Sequence, residues 1–200
     1  MNIRESIKTI LREEPKFKQI LRQEVNRNGI FKTSKMMGVT RSKIVDWIDL
    51  PIDTHIANDL LFEAMVNGNL QTKYEEFEIS ADSDGIFLWY TKRNTDHFLP
   101  NMTESLYVLA TPFWDDNDFT PVDLDFYSLH DEDSNKIVEV EGHGDFYFRL
   151  GHESKFDNVK ELFSWYKEFY LPTVYNIITT DLLPKMYQRV DDLLDERMGY

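Results

Sequence analysis

The chain has 200 residues, a formal net charge of −14, 42% hydrophobic and 14% aromatic residues, and no cysteine. That length and apolar content suffice for one medium domain plus a small one with a true core, and they exclude a disordered chain. The missing cysteines exclude disulfides, thiol catalysis and cysteine-ligated zinc or iron–sulfur centres, while the acidic balance argues against a protein wrapped in nucleic acid, because phosphate contacts require Lys and Arg.

Residues 2–13 have helical spacing, with Ile3, Ile7, Ile10 and Leu11 on one stripe and Arg4, Lys8 and Arg12 off it. Pro15 opens a second helix, in which Phe17, Ile20, Leu21 and Val25 recur at helical intervals until Asn28-Gly29 stops it. Lys16, Lys18, Arg22 and Arg27 read as its solvated face. The stretch Phe31–Ile48, FKTSKMMGVTRSKIVDWI, then reads as two short helices joined at Gly38-Val39. Ser34 is small enough for a helix crossing. Gly38 suits positive φ, and Val39 plugs the space beneath the turn. Thr40 is placed to cap the next helix. Ile44 and Trp47 share its buried face.

Through Ser34, Met37, Gly38, Val39, Ile44 and Trp47 this stretch resembles the helix-turn-helix family of DNA-binding units. The resemblance implies a three-helix head over about residues 16–50, packed on Ile30, Phe31, Ile44 and Trp47. It also implies duplex DNA contact through the start of the second motif helix, at Thr40, Arg41, Ser42 and Lys43, with Lys32 and Lys35 on the helix before it. Arg41 and Lys43 are expected to point outward. Asp46 and Asp49 place negative charge late in that helix. Residues 1–50 carry eleven Lys/Arg against six Asp/Glu, and residues 51–200 carry eleven against thirty. The result is a basic head on an acidic body. The phrase IKTILREE at residues 7–14 also resembles short charged leaders of uncharacterised bacteriophage proteins.

A connector helix is expected within 51–73, from about Thr54 to Val66, carrying Ile56, Leu60, Leu61 and Met65. From Tyr74 the period changes to two. Candidate strands lie around Phe77–Ile79, Ile86–Tyr90, Leu106–Phe113, Val122–Phe126, Val138–Val140 and Phe146–Leu150. Their short spacing favours an antiparallel meander with one strongly acidic, solvated face. After Ser154 the period is helical again, through Phe156, Val159, Leu162, Tyr166 and Tyr170. Pro172 interrupts, and Pro184 is expected in a first turn or at a kink. The expected fold class is α+β: a helical head, then an antiparallel sheet of about 4–6 strands covered by C-terminal helices in an acidic body over residues 74–200.

No catalytic residue stands out, and no enzyme is expected. His143 and His152 flank the last candidate strand, too far apart to share a metal with Asp131, Glu132 or Asp133. Asp82-Ser83-Asp84-Gly85 lacks the later ligands of a calcium loop and reads as a turn. No glycine-rich phosphate loop, nucleophile elbow or zinc-protease motif is present. No metal and no cofactor are therefore expected. No apolar run approaches the ~20 residues of a membrane span, and the N-terminus has no signal-peptide core. These features lead to an expected cytoplasmic protein without a membrane partner, in host cytoplasm or virion if of phage origin. Its expected function is DNA binding by the head, with the acidic body oligomerising or recruiting a partner through the C-terminal helices. The alternative is an assembly protein, of a phage particle for example, whose head docks protein.

Overall fold

The turn at Gly38 is built by two backbone hydrogen bonds that close the helix before it. Val39 N–H donates to the Ser34 carbonyl (3.1 Å) and Gly38 N–H to the Lys35 carbonyl (3.3 Å). This pairing requires a left-handed residue at Gly38, whose φ is 65°. A computed structural model describes residues 14–82, 85–93, 97–98, 101–113, 119–142, 147–151 and 156–198. In it α1 (Glu14–Met37) is kinked at Gly29, α2 spans Arg41–Ile48 and α3 spans Thr54–Val66. The amphipathic leader expected at residues 2–13 lies outside the described residues.

The kink divides α1 into the two helices the sequence pattern implies. Thr33, fully buried, ties them together by donating its hydroxyl to the Gly29 carbonyl at 2.8 Å. Phe17 and Leu21 from the first part meet Ile44 and Ile48 of α2, and Val25, Ile30, Met37, Val39, Trp47 and Leu50 pack around them. Phe17 meets Trp47 edge to face at 5.6 Å. Ser34 is buried, as the helix crossing requires. Phe31 departs from expectation: it is 52% exposed and belongs to the surface, not this core.

Six antiparallel strands follow: β1 (Phe77–Asp82), β2 (Gly85–Arg93), β3 (Thr103–Leu109), β4 (Phe119–His130), β5 (Lys136–Glu141) and β6 (Tyr147–Gly151). The first five pair in sequence order. β4 is long enough to hold two neighbours along one side, β5 beside Phe126–His130 and β6 beside Phe119–Asp123. The meander is therefore simple through β5, and β6 returns to β4.

The C-terminal residues form one helical run: α4 (Val159–Trp165), α5 (Leu171–Ile177) and α6 (Leu183–Met198), joined by π-helical turns at Tyr166–Tyr170 and Ile178–Leu182. Pro172 does not interrupt it, contrary to expectation. Each π turn ends two residues before a proline, Pro172 or Pro184. A proline has no N–H for the i−4 carbonyl and collides with it. The wider π turn, with Leu171 N–H reaching Tyr166 O and Leu183 N–H reaching Ile178 O, lets the helix absorb the misfit.

From Tyr166 onward this run covers one face of the sheet. Tyr170 donates its hydroxyl to the Ala110 carbonyl at 2.8 Å, and Tyr175 stacks on Tyr74 at 3.9 Å and meets Phe77. Most of its apolar stripe is consumed there. Among the described residues Phe169 is the one large apolar side chain of the run counted as exposed. The fold is thus α+β, as the change of period implies.

Two compact units divide the chain at Glu63/Ala64, and Ser154–Phe163 belongs with the first. Ile52 and Phe156, both buried, form a β-bridge within that unit. Most of α3, residues 54–63, also belongs to that unit.

Two glycines test this architecture. A Cβ at Gly38 meets nothing within 4 Å, so Gly38→Ala should cost only the left-handed strain, about 1 kcal/mol. A Cβ at Gly142 would stand 1.6 Å from the Leu124 carbonyl oxygen, so Gly142→Ala should cost more, about 2–3 kcal/mol. Urea unfolding of the two variants checks the order; equal losses would contradict the strand contact at Gly142.

Candidate functional site

The first turn of α2 carries the residues that the helix-turn-helix resemblance singles out. Thr40, at φ −71° and ψ 155°, caps the helix by accepting a hydrogen bond from Lys43 N–H at 3.4 Å, and its hydroxyl also meets that of Ser42 at 2.9 Å. Thr40 and Lys43 are exposed and Ser42 is half-buried. Lys32 and Lys35 are exposed on the last turns of α1, with Lys35 4.3 Å from the centre of the Phe31 ring.

Arg41 is placed differently. Its side chain is only 12% exposed and does not point outward, so the expectation of two adjacent outward cations is corrected. Its Nη1 pairs with Asp59 Oδ2 at 3.0 Å, and its Nε lies 3.8 Å from Glu63 Oε1. Its backbone N–H donates to Glu63 at 3.0 Å, and the guanidinium lies over the Phe31 ring. The reason is electrostatic. The start of a helix offers unpaired N–H groups and the positive end of its dipole, which attract an anion. α2 has no acidic residue in its own first turn. Asp59 and Glu63, one turn apart on α3, supply that charge.

The rest of α2 is similarly engaged. Val45 is buried outside the three-helix core. The Val159 N–H donates to Asp46, whose carboxyl is nevertheless held above its ordinary range, by partial burial first and by Asp49 as well. Lys18 pairs with Asp49 at 2.9 Å and holds that carboxyl below its ordinary range. Arg22 donates Nε and Nη2 to the Ile48 carbonyl at 3.0 and 2.6 Å, closing the C-terminal end. From that solvated face Lys18 and Arg22 also clamp the end of α2. The exposed charges of α2 and its C-cap are Lys43, Asp46 and Asp49, one cation against two acids.

A second constellation lies in the sheet and has no counterpart in the sequence reading. Glu104 on β3 is fully buried. Its Oε1 accepts from Tyr90 (3.3 Å) and Tyr187 (3.1 Å), and its Oε2 from Tyr127 (3.2 Å). Burial raises its pKa, against the three hydroxyls and Lys92, which lower it. Burial and the Glu104 charge raise Tyr90 and Tyr127 far above a free phenol. The signal was present in the parity of the strand. Glu104 shares its face with Leu106 and Val108, the buried side of β3. His97 stacks on Tyr187 at 4.6 Å and bonds Asp191 at 3.0 Å.

Asp131 serves its hairpin. It accepts from Asp133 N–H, Asn135 N–H and the Asn135 side chain at 2.8–3.0 Å, which lowers its pKa. His143 and His152 lie outside the described residues. Among the described residues no three metal-binding side chains converge, and no helix is long and apolar enough to cross a membrane. Comparison of the chain with protein-family models, curated proteins and solved structures finds no match.

Arg41→Ala should destabilise the first unit by about 1–3 kcal/mol, less than a fully buried pair because Asp59 is half exposed. Arg41→Lys should recover only part, since an ammonium cannot reproduce the planar fork. Urea midpoints followed by circular dichroism measure both, and an unchanged midpoint for Arg41→Ala would leave the Arg41 ion pairs without energetic weight.

Because the folded pKa of Glu104 is raised, its contribution to stability is complete below the ordinary value of 4.5 and is lost as pH rises through the raised one. The unfolding temperature of Glu104→Gln minus that of the native chain should therefore increase with pH across that window. A constant difference from pH 4 to 8 would mean that Glu104 titrates alike folded and unfolded.

Proposed function

We propose that this protein is an assembly protein that binds other proteins, and that its helical head, though built like a helix-turn-helix unit, is a protein-docking module. The supporting observation is the occupied start of α2. A phosphate would seat where Glu63 accepts the Arg41 N–H, and the guanidinium that would meet it is held by Asp59 and Glu63. A duplex groove admits a helix only along a free face, whereas Val45 is buried and Asp46 and Asp49 face outward. Nearby, the surface has what a protein partner uses. Phe31 and Met36 are 52% and 50% exposed, beside Lys32 and Lys35. The partner this suits is an apolar surface with an acidic rim.

A second reading, duplex binding, is favoured by one observation: Thr40, Lys43, Lys32 and Lys35 all remain exposed around an intact motif turn. One experiment separates the two. In gel-shift titrations at low salt the full chain should not shift duplex DNA, while Asp59→Asn with Glu63→Gln should begin to, by vacating the anion seat. In light scattering and cross-linking, any assembly formed should be lost on Phe31→Ser with Met36→Ser, both surface positions. A shift by the native chain that weakens steeply with salt and disappears with Lys32→Glu and Lys35→Glu would overturn the docking reading in favour of DNA.

A further inference from the structure

The face of the sheet turned away from the C-terminal helices carries a row of side chains that sheet stability alone does not explain. Register sets Glu78 opposite Trp89, Trp89 opposite Tyr107, Tyr107 opposite Phe126 and Phe126 opposite Glu141. Three aromatic rings thus stand side by side across β2, β3 and β4, with a carboxylate at each end. Trp89 lies 5.1 Å from Tyr107 and 5.5 Å from Phe126, and Phe87 stacks on Tyr107 at 4.8 Å. Cross-strand rings do stabilise a sheet. Yet Trp89 remains 38% exposed, and its indole N–H is turned aside to Thr91.

Beside the row the sheet opens into a groove of about 330 Å³ lined by Asp125, Phe126, Glu139, Glu141 and Gly142. Its shape comes from a β-bulge. Tyr107 pairs with Phe126 but Val108 pairs with Leu124, so Asp125 is the extra residue of β4 and its side chain is re-aimed to the surface. Gly142 contributes through the absence of a side chain where its backbone meets β4. Among the described residues the lining holds three carboxylates and no cation. Glu139 is paired with Lys136 at 2.9 Å, but both are about half exposed, so the pair is weak and readily exchanged.

We propose that this row and groove form a docking surface for a partner protein segment that presents arginine side chains. Charge selects a cation: a chain of net charge −14, with carboxylates at both ends of the row, repels phosphates and acidic peptides. The rings select arginine over lysine, because a planar guanidinium stacks on an aromatic face while its edge donates two parallel hydrogen bonds to a carboxylate such as Asp125. The surface lies wholly in the second unit, so it stands independently of the docking role proposed for the head.

The test uses the full chain and two short fluorescent peptides, one of alternating arginine and serine and one with lysine replacing arginine, read by anisotropy at low and moderate salt. The arginine peptide should bind about tenfold more tightly than the lysine peptide. Trp89→Ala should weaken arginine binding about tenfold and erase the preference. Asp125→Asn with Glu141→Gln, at exposed positions, should weaken both peptides while keeping a native circular dichroism spectrum. No binding by the native chain, equal binding of both peptides, or binding indifferent to the carboxylate pair would each overturn the proposal. If Trp89→Ala fails to fold, the carboxylate variant and the peptide preference still decide it.

Discussion

The carboxylate of Glu63 closes the start of α2, and the character of the head follows from it. A helix N-terminus is an anion site that something must fill. Filling it from α3 draws Arg41 inward, brings Asp59 beside it and places the guanidinium over Phe31. The same α2 is clamped at its other end by Arg22 and Lys18. A helix held at both ends by its own chain keeps Thr40 and Lys43 exposed at its start. The docking role proposed for the head draws instead on the apolar and basic side chains of neighbouring α1, Phe31, Lys32, Lys35 and Met36.

The body solves a different problem, the burial of an acid in a core and the passage of two prolines through a helix. Glu104 enters the sheet interior only because three phenols from β2, β4 and α6 surround its two oxygens. A buried carboxylate so surrounded retains a raised pKa, because three neutral donors do not restore what water supplied. The prolines of the C-terminal run are accommodated by geometry: a π turn before each widens the helix where the ring would collide. Both devices preserve one continuous helical cover on one face of the sheet, which leaves the other face to Trp89, Tyr107, Phe126 and the acids around them.

By itself the sequence determined the elements and their class. Alternation from Phe77 to Leu150 implies strands, the helical stripes on either side imply helices, and Gly38 with Thr40 implies a capped turn, because these patterns are set by backbone period and local hydrogen bonding alone. Asp125 as a bulge, β6 returning to β4 and Glu104 within a tyrosine cage were decided by tertiary structure. Each depends on residues far apart in the chain that no local period brings together. The inward turn of Arg41 belongs here too. Spacing placed it at the first turn of α2, but only the approach of Asp59 and Glu63, eighteen and more residues later, decided which way the guanidinium faces, since a charge follows its nearest countercharge and not its neighbours in sequence.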